Sequence, residues 1–172
     1  MNPHKPFLFS NYFINVDAHP SGMSMRFATS SGLQIELREC GEDAWKIFKP
    51  HFHLPEIPRT ACRRYIGMLG DQPVSFIAVV PHANDKHAKD GRKILHLSRV
   101  TVLPNFRSQG IGGGMINAIA NHLYGEDVRI RLITANPHLN GWMGRNGWRA
   151  ESVAQTPHGR QVTWEYVRVE NE

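Results

Sequence analysis

The residues with the most chemical content lie in one stretch, Val100-Thr101-Val102-Leu103-Pro104-Asn105-Phe106-Arg107-Ser108-Gln109-Gly110-Ile111-Gly112-Gly113-Gly114. An apolar strand runs into a loop that carries an arginine, and glycines open the next element. Gly110 and Gly112 let the main chain approach a ligand with no Cβ in the way. The first N–H groups of a helix have no partner within it and point, with the helix dipole, at any anion placed there. A diphosphate suits that arrangement, and Arg107 adds a charge-assisted donor. The competing reading is a glycine turn that only tightens strand-to-helix packing. No Gly-Lys-Ser/Thr follows, so this is not a P-loop. No acidic residue stands suitably after a following strand, so it does not open a dinucleotide-binding βαβ unit either.

Imidazoles and a hydroxyl supply the second kind of chemistry. His96 lies on the strand Ile94–Val102, where alternation predicts His96, Ser98 and Val100 on one face and Leu95, Leu97 and Arg99 on the other. His96 is a candidate base against the alternative of a satisfied core histidine. Ser98 is a candidate proton relay or substrate contact, or simply a small buried residue. His51-Phe52-His53 stands in a Pro- and His-rich connector. Substrate binding, base catalysis or a share in a metal site are its functional readings, against a solvent-facing loop. A His-x-His pair alone is not a metal site, so no metal is expected.

The elements that must position these groups are legible as periodicities. Leu33–Leu37 alternates as a half-buried strand, and Gly41-Glu42-Asp43 opens a short helix through Trp45 and Phe48 that Pro50 closes. Tyr65–Leu69 and Val74–Val80 form a hairpin around Gly70-Asp71-Gln72-Pro73. A hydrophilic loop, His82–Arg92, precedes the long strand. After the glycines, Met115, Ile116, Ile119, Ala120 and Leu123 share one helical face. Val128–Ile133 is a strand, Pro137–Asn146 a short helix stopped by Gly147, and Trp148–Val153 with Gln161–Val169 a terminal hairpin. Residues 1–31 lack sustained periodicity and read as an N-terminal extension with one short strand near Tyr12–Val16, followed by one domain over 32–172. The fold class is α/β (α+β) around a mixed sheet.

Composition excludes several classes. With 172 residues, 41% hydrophobic and 20% charged, the chain suits one globular domain. No run approaches the ~20 apolar residues of a membrane span, and Phe7-Leu8-Phe9 is cut short by Ser10-Asn11, so a cytoplasmic location without membrane contact is expected. Cys40 and Cys62 have no CxxC spacing and read as reduced structural thiols. The net charge of +5 favours an anionic partner, but the basic residues are dispersed.

The stretch from His96 to Gly114 resembles the signature of the GNAT superfamily of N-acetyltransferases: an apolar strand, V-x-P, an aromatic, then R/Q-x-x-G-x-G/A. Downstream, Asn136 and Gly147-Trp148 match a second family element at its spacing. The resemblance spans about residues 33–169. It implies a mostly antiparallel sheet flanked by helices, with a splayed strand pair at an acyl-CoA site. By resemblance, Val100, Thr101 and Val102 line the pantetheine arm, and Arg107, Ser108, Gln109, Gly110, Ile111, Gly112 and Gly113 hold the diphosphate, with Asn136 nearby. Acetyl-CoA or another acyl-CoA is then the donor and an amine the acceptor. His96 matches a position where arylalkylamine N-acetyltransferases carry histidine, which places it, with Ser98, as catalytic. Where many relatives carry a Tyr, this chain has Met143, which cannot protonate a leaving thiolate; Tyr124 or water takes that task, or the thiolate departs without a dedicated acid.

Ser98-Arg99, the His-rich connector and Trp148 together also resemble phage-associated GNAT relatives, among them the Mom-like proteins that modify adenine in DNA. That branch implies His51, His53 and Arg99 on the substrate side and nucleic acid as partner, although the branch's His-His-Tyr element is here His51-Phe52-His53. A third reading is a catalytically silent GNAT fold. The acceptor and the oligomeric state are not expressed in the sequence.

Overall fold

A two-residue apolar period dominates the chain, and among the described residues eight strands result: β1 (Ser24–Ala28), β2 (Gln34–Glu39), β3 (Arg63–Leu69), β4 (Gln72–Pro81), β5 (Lys93–Val102), β6 (Val128–Thr134), β7 (Trp148–Thr156) and β8 (Gly159–Tyr166). The computed structural model describes residues 24–52, 62–82, 91–124 and 127–168. His53, the strand expected near Tyr12–Val16 and most of the His82–Arg92 loop lie outside those residues. The strands form one sheet in the order β1-β2-β3-β4-β5-β6-β8-β7. Among the described strands only β5 and β6 run parallel; all other neighbours are antiparallel. Residues 24–28, within the stretch that reads as an extension, pair along their whole length with β2.

Among the described residues three α-helices cover the sheet. α1 (Trp45–Phe48) is flanked by the 3-10 turns Glu42–Ala44 and Lys49–His51, with Pro50 in the second. α2 (Ile111–Tyr124) is the crossover between the parallel strands, and α3 (Pro137–Arg145) precedes the last hairpin. Asn136 caps α3, its Oδ1 accepting from the N–H groups of His138 (2.9 Å) and Leu139 (3.3 Å). Gly147, at φ 79°, takes the chain out of it.

α2 and α3 pack on one face. Met115, Ile116, Ile119, Ala120 and Leu123 are fully buried against Leu97, Ile130 and Leu132, with Met143 and Trp148 in the same cluster. The indole N–H of Trp148 donates to Asn117 (2.9 Å) and that of Trp164 to Asn140 (2.7 Å). Each helix is thereby tied to the terminal hairpin with its large aromatic partner satisfied. On the opposite face, α1 buries Trp45 and Phe48 against Ile66, Phe76 and Ala78, contributing about 1.5–3 kcal/mol per large side chain. Among the described residues that cover lies over β3 and β4. Farther along the same face, β5, β6 and β8 present His96, Arg129, Arg131 and Glu165. Neither Cys40 nor Cys62 forms a disulfide, and burial pushes the Cys40 thiol up to about 12, which keeps it unreactive.

Candidate active site

The site begins with a defect in β5. Ser98 pairs with Ala78 and Thr101 with Phe76, so Arg99 and Val100 together oppose Ile77. Arg99 adopts φ 55°, and the buried Thr101 hydroxyl donates to its carbonyl at 3.0 Å. A bulge of this kind bends a strand and sharpens its twist. The consequence is visible on the other side of β5. Pairing with β6 runs from Lys93↔Val128 to Leu97↔Leu132 and stops, while Ile133 and Thr134 continue along β8. Among the described residues, the β6-facing main chain of β5 has no strand partner from Ser98 onward. An extended ligand with amide groups can pair there as an added strand would.

The bulge also corrects the expected alternation. Val100 packs with Leu95 and Leu97 against the α2-side cluster, not on the face of His96 and Ser98. Arg99 moves the opposite way. Its guanidinium lies over the Phe52 ring at 5.4 Å, and it donates to the Ser98 hydroxyl at 3.5 Å. His96, Ser98 and Arg99 therefore share the α1-side face. The strict two-residue period failed because one inserted residue inverts everything after it.

β5 leads through Leu103, whose N–H donates to the Val74 carbonyl at 2.9 Å, and a 3-10 turn at Pro104–Phe106 into α2. Ser108 and Gly110 take φ 62° and 80° to turn the chain. The first α2 bond is Gly114 N–H to the Gly110 carbonyl (3.0 Å), which leaves the amides of Ile111, Gly112 and Gly113 without helical partners. No acidic residue stands in the first turn. Arg107 folds back to donate from Nε to the Val102 carbonyl (3.1 Å), and Gln109 donates from its side chain to the Asn105 carbonyl (3.3 Å).

The glycines themselves have a different rationale from the expected one. A Cβ on Gly113 would stand 2.5 Å from the Trp142 ring, and one on Gly114 would run into the Phe27 ring. A Cβ on Gly110 would meet the Ser30 hydroxyl at 3.1 Å, and Gly112 alone has only an ordinary contact, Val102 at 3.5 Å. Three of the four glycines admit the protein's own side chains rather than a ligand. The amides of Ile111, Gly112 and Gly113 have no acceptor within the helix, so the anion argument stands on the helix start and not on missing side chains.

His96 sits two residues before the point where the strands part. Its ring lies 5.0 Å from that of His82, and it pairs across the sheet with Arg131. Burial first, then the charges of His82 and Arg131, lowers its pKa to about 4. Its Nε2 is buried with no hydrogen-bond partner. The imidazole is thus neutral at physiological pH and offers an acceptor rather than a strong base. Sequence reasoning missed His82 and Arg131; His82, directly after the strand end at Pro81, was hidden in a polar loop.

The remaining expected residues separate. Met143 is fully buried in the core, so that position touches no reacting group. Tyr124 stands at the far end of α2, ~20 Å along the helix from the amide cluster, against Tyr166 and Arg168. It is not placed to protonate a thiolate. The Asn136 side-chain oxygen is occupied by the α3 cap and its N–H by Thr134. His51 lies at the end of the α1 region next to Phe52. Among the described residues no group of three metal-binding side chains forms.

Among the described residues, a mixed sheet whose one parallel pair splays open leads into helix-start amides without helical partners. Residues 32–144 match the model of the acetyltransferase (GNAT) family. The chain belongs to the GNAT family and is a GNAT-type N-acetyltransferase. Its fold is similar to that of Arabidopsis thaliana Naa50 in complex with the bisubstrate analogue CoA-Ac-MVNAL (13% identity, 78% of this chain and 99% of that one, TM-score 0.59). It is also similar to a GNAT acetyltransferase from Elizabethkingia anophelis with acetyl-CoA bound (12% identity, 77% and 97%, TM-score 0.59) and to Ard1 from Thermoplasma volcanium (13%, 79% and 99%, TM-score 0.59). A search of curated proteins by sequence finds no match. Among the described residues no helix is long and apolar enough to cross a membrane.

Proposed function

We propose that the protein transfers an acetyl group from acetyl-CoA to an amine presented on the α1-side face, beside His96 and Ser98. The observation that carries this is the parting of β5 from β6 beyond Leu97, which opens directly onto the unpaired amides of α2. The diphosphate of the donor suits the amides of Ile111, Gly112 and Gly113 with Arg107 beside them, and its pantetheine arm suits the unpaired edge of Ser98–Val102. The thioester then lies at the bulge, where main-chain N–H groups can polarise its carbonyl.

The acceptor must arrive as a free amine. It attacks the thioester carbon, the C–S bond breaks, one proton leaves nitrogen and one reaches the thiolate. Neutral His96 can accept a hydrogen bond from the amine and orient it; with a pKa near 4 it does not extract a proton from an alkylammonium in bulk. With Met143 buried and Tyr124 remote, the thiolate takes its proton from water.

Calorimetric titration with acetyl-CoA, followed by thiol release in the presence of a panel of amines, tests the reading. Absence of heat at high micromolar acetyl-CoA sinks it. Binding without thiol release from any amine favours a silent fold. A second acceptor, the exocyclic amine of adenine in nucleic acid, has one observation in its favour: the Arg99 guanidinium stacked on Phe52 beside Ser98 forms a flat cationic surface suited to a base. Duplex or single-stranded DNA binding without a steep salt dependence counts against it.

A further inference from the structure

The turn between β1 and β2 brings two hydrogen-bond donors to the edge of the α2 amides. Thr29 closes this turn. Its N–H donates to the Leu33 carbonyl and its carbonyl accepts from Gly32, both at 2.9 Å, while its hydroxyl accepts from the Leu33 N–H at 3.0 Å. Two contacts pin the β1–β2 hairpin to the start of α2 and the loop before it. The Ser31 hydroxyl donates to the Gln109 carbonyl at 3.2 Å, and the Phe27 ring packs over Gly114. Ser30 is left at the tip, exposed, with its Oγ 3.1 Å and its N 3.6 Å from the point where Gly110 would carry a Cβ. Among the described residues, neither its hydroxyl nor its N–H is engaged in a hydrogen bond.

We propose that Ser30 is a phosphate-binding residue of the donor site, its hydroxyl and N–H completing the ring of donors begun by the amides of Ile111, Gly112 and Gly113. The inference rests on the acetyl-CoA reading above and extends it to a residue outside the matched family region, which begins at residue 32. The absence of a Cβ at Gly110 is what admits the turn so closely. The chemistry selected is that of a diphosphate ester: several N–H and O–H donors from two separate elements, and no carboxylate in the first turn of α2. Ser31 is a positioning residue in this arrangement, and Ser30 is the contact.

The test is calorimetric titration of wild type, Ser30→Ala and Ser30→Thr with coenzyme A and with 3′-dephospho-coenzyme A, alongside thermal melts of the unliganded proteins. Loss of one hydroxyl bond to an anion predicts about five- to tenfold weaker binding of both ligands to Ser30→Ala, with an unchanged melting temperature and affinity restored in Ser30→Thr. Equal affinity of Ser30→Ala and wild type overturns the inference and leaves the donor reading intact. A loss confined to coenzyme A overturns the diphosphate assignment, and a loss that tracks a lower melting temperature reduces Ser30 to a structural residue. No binding by wild type removes both readings together.

Discussion

At the residue scale, the histidine on β5 is informative because its environment fixes its protonation state. Burial and the neighbouring His82 and Arg131 lower the pKa of His96 to about 4, so the ring is neutral across the physiological range. Its ring Cε1 proton should show no NMR titration step between about pH 5 and 8. A step near 6.5 would place it in a solvated setting and remove its argument as a fixed acceptor. Replacing His96 with Gln should lower kcat by about tenfold or more while altering KM little, because orientation of the amine is felt mainly in the transition state. The glycines allow a sharper separation. Gly113→Ala places a methyl against Trp142 and should cost about 1–3 kcal/mol in denaturant unfolding. Gly112→Ala meets only Val102 at ordinary distance and should be neutral or stabilising by up to about 1 kcal/mol. Similar losses in both variants would contradict the packing assigned to Trp142.

At the element scale, the strands were legible wherever one face is apolar: β3, β4, β5 and β6 stand within a few residues of the periodicity. β1 escaped notice because Ser24-Met25-Arg26-Phe27-Ala28 is short and sits among polar residues. Its only signal was the alternation of Met25 and Phe27, and these are the two side chains that pack towards α2. The bulge was not legible at all. Ser98-Arg99-Val100-Thr101-Val102 has no glycine to mark a left-handed residue, and Arg99 is held there by tertiary context, including the Thr101 hydroxyl on its carbonyl. That hydroxyl carries a prediction for the whole element. Thr101→Val keeps the shape, removes a buried hydrogen bond, and should destabilise the protein by about 1 kcal/mol. If the bulge sets the splay, the same change should also weaken acetyl-CoA binding severalfold, read by calorimetry. Lower stability with unchanged affinity would assign the splay to β6 and its attachment to β8 instead.

At the scale of the whole molecule, the two faces of the sheet divide the work. The α2–α3 face is mostly an apolar core, with the buried Ser75 hydroxyl within it, and among the described residues the opposite face is apolar under α1. Over β6, β7 and β8 it is held by charge. Glu165, 6% exposed, accepts from Arg129 and Arg131, and Glu151 joins both arginines and Arg149 at the rim. Sequence patterning could not reveal this network, because alternating Arg and Glu on a strand read equally well as a solvated face. Its energetic sign follows from the titration of its members. Burial raises the Glu165 pKa, but the hydrogen bonds and charges of Arg129 and Arg131 outweigh that and hold it below 4.5. The stabilisation is therefore fully present above the unfolded carboxylate value and is lost as pH falls through the folded one. His96 acts in the same direction, because the unfolded chain takes up its proton near 6.5 and the folded chain only near 4. Unfolding free energy should thus decline in two stages on acidification, first between about pH 6.5 and 4 from His96, then below about 4.5 from Glu165. His96→Gln should flatten the first stage alone. Glu165→Gln should cost about 2–4 kcal/mol at neutral pH, leaving Arg129 and Arg131 with Glu151 as their shared partner, and should flatten the second. Denaturant unfolding of the three proteins across that pH range measures both effects. A wild-type curve level from about pH 6.5 down to 4.5 would show that His96 is not enclosed by the folded chain as the geometry requires, and one level below about 4.5 would show the same of Glu165.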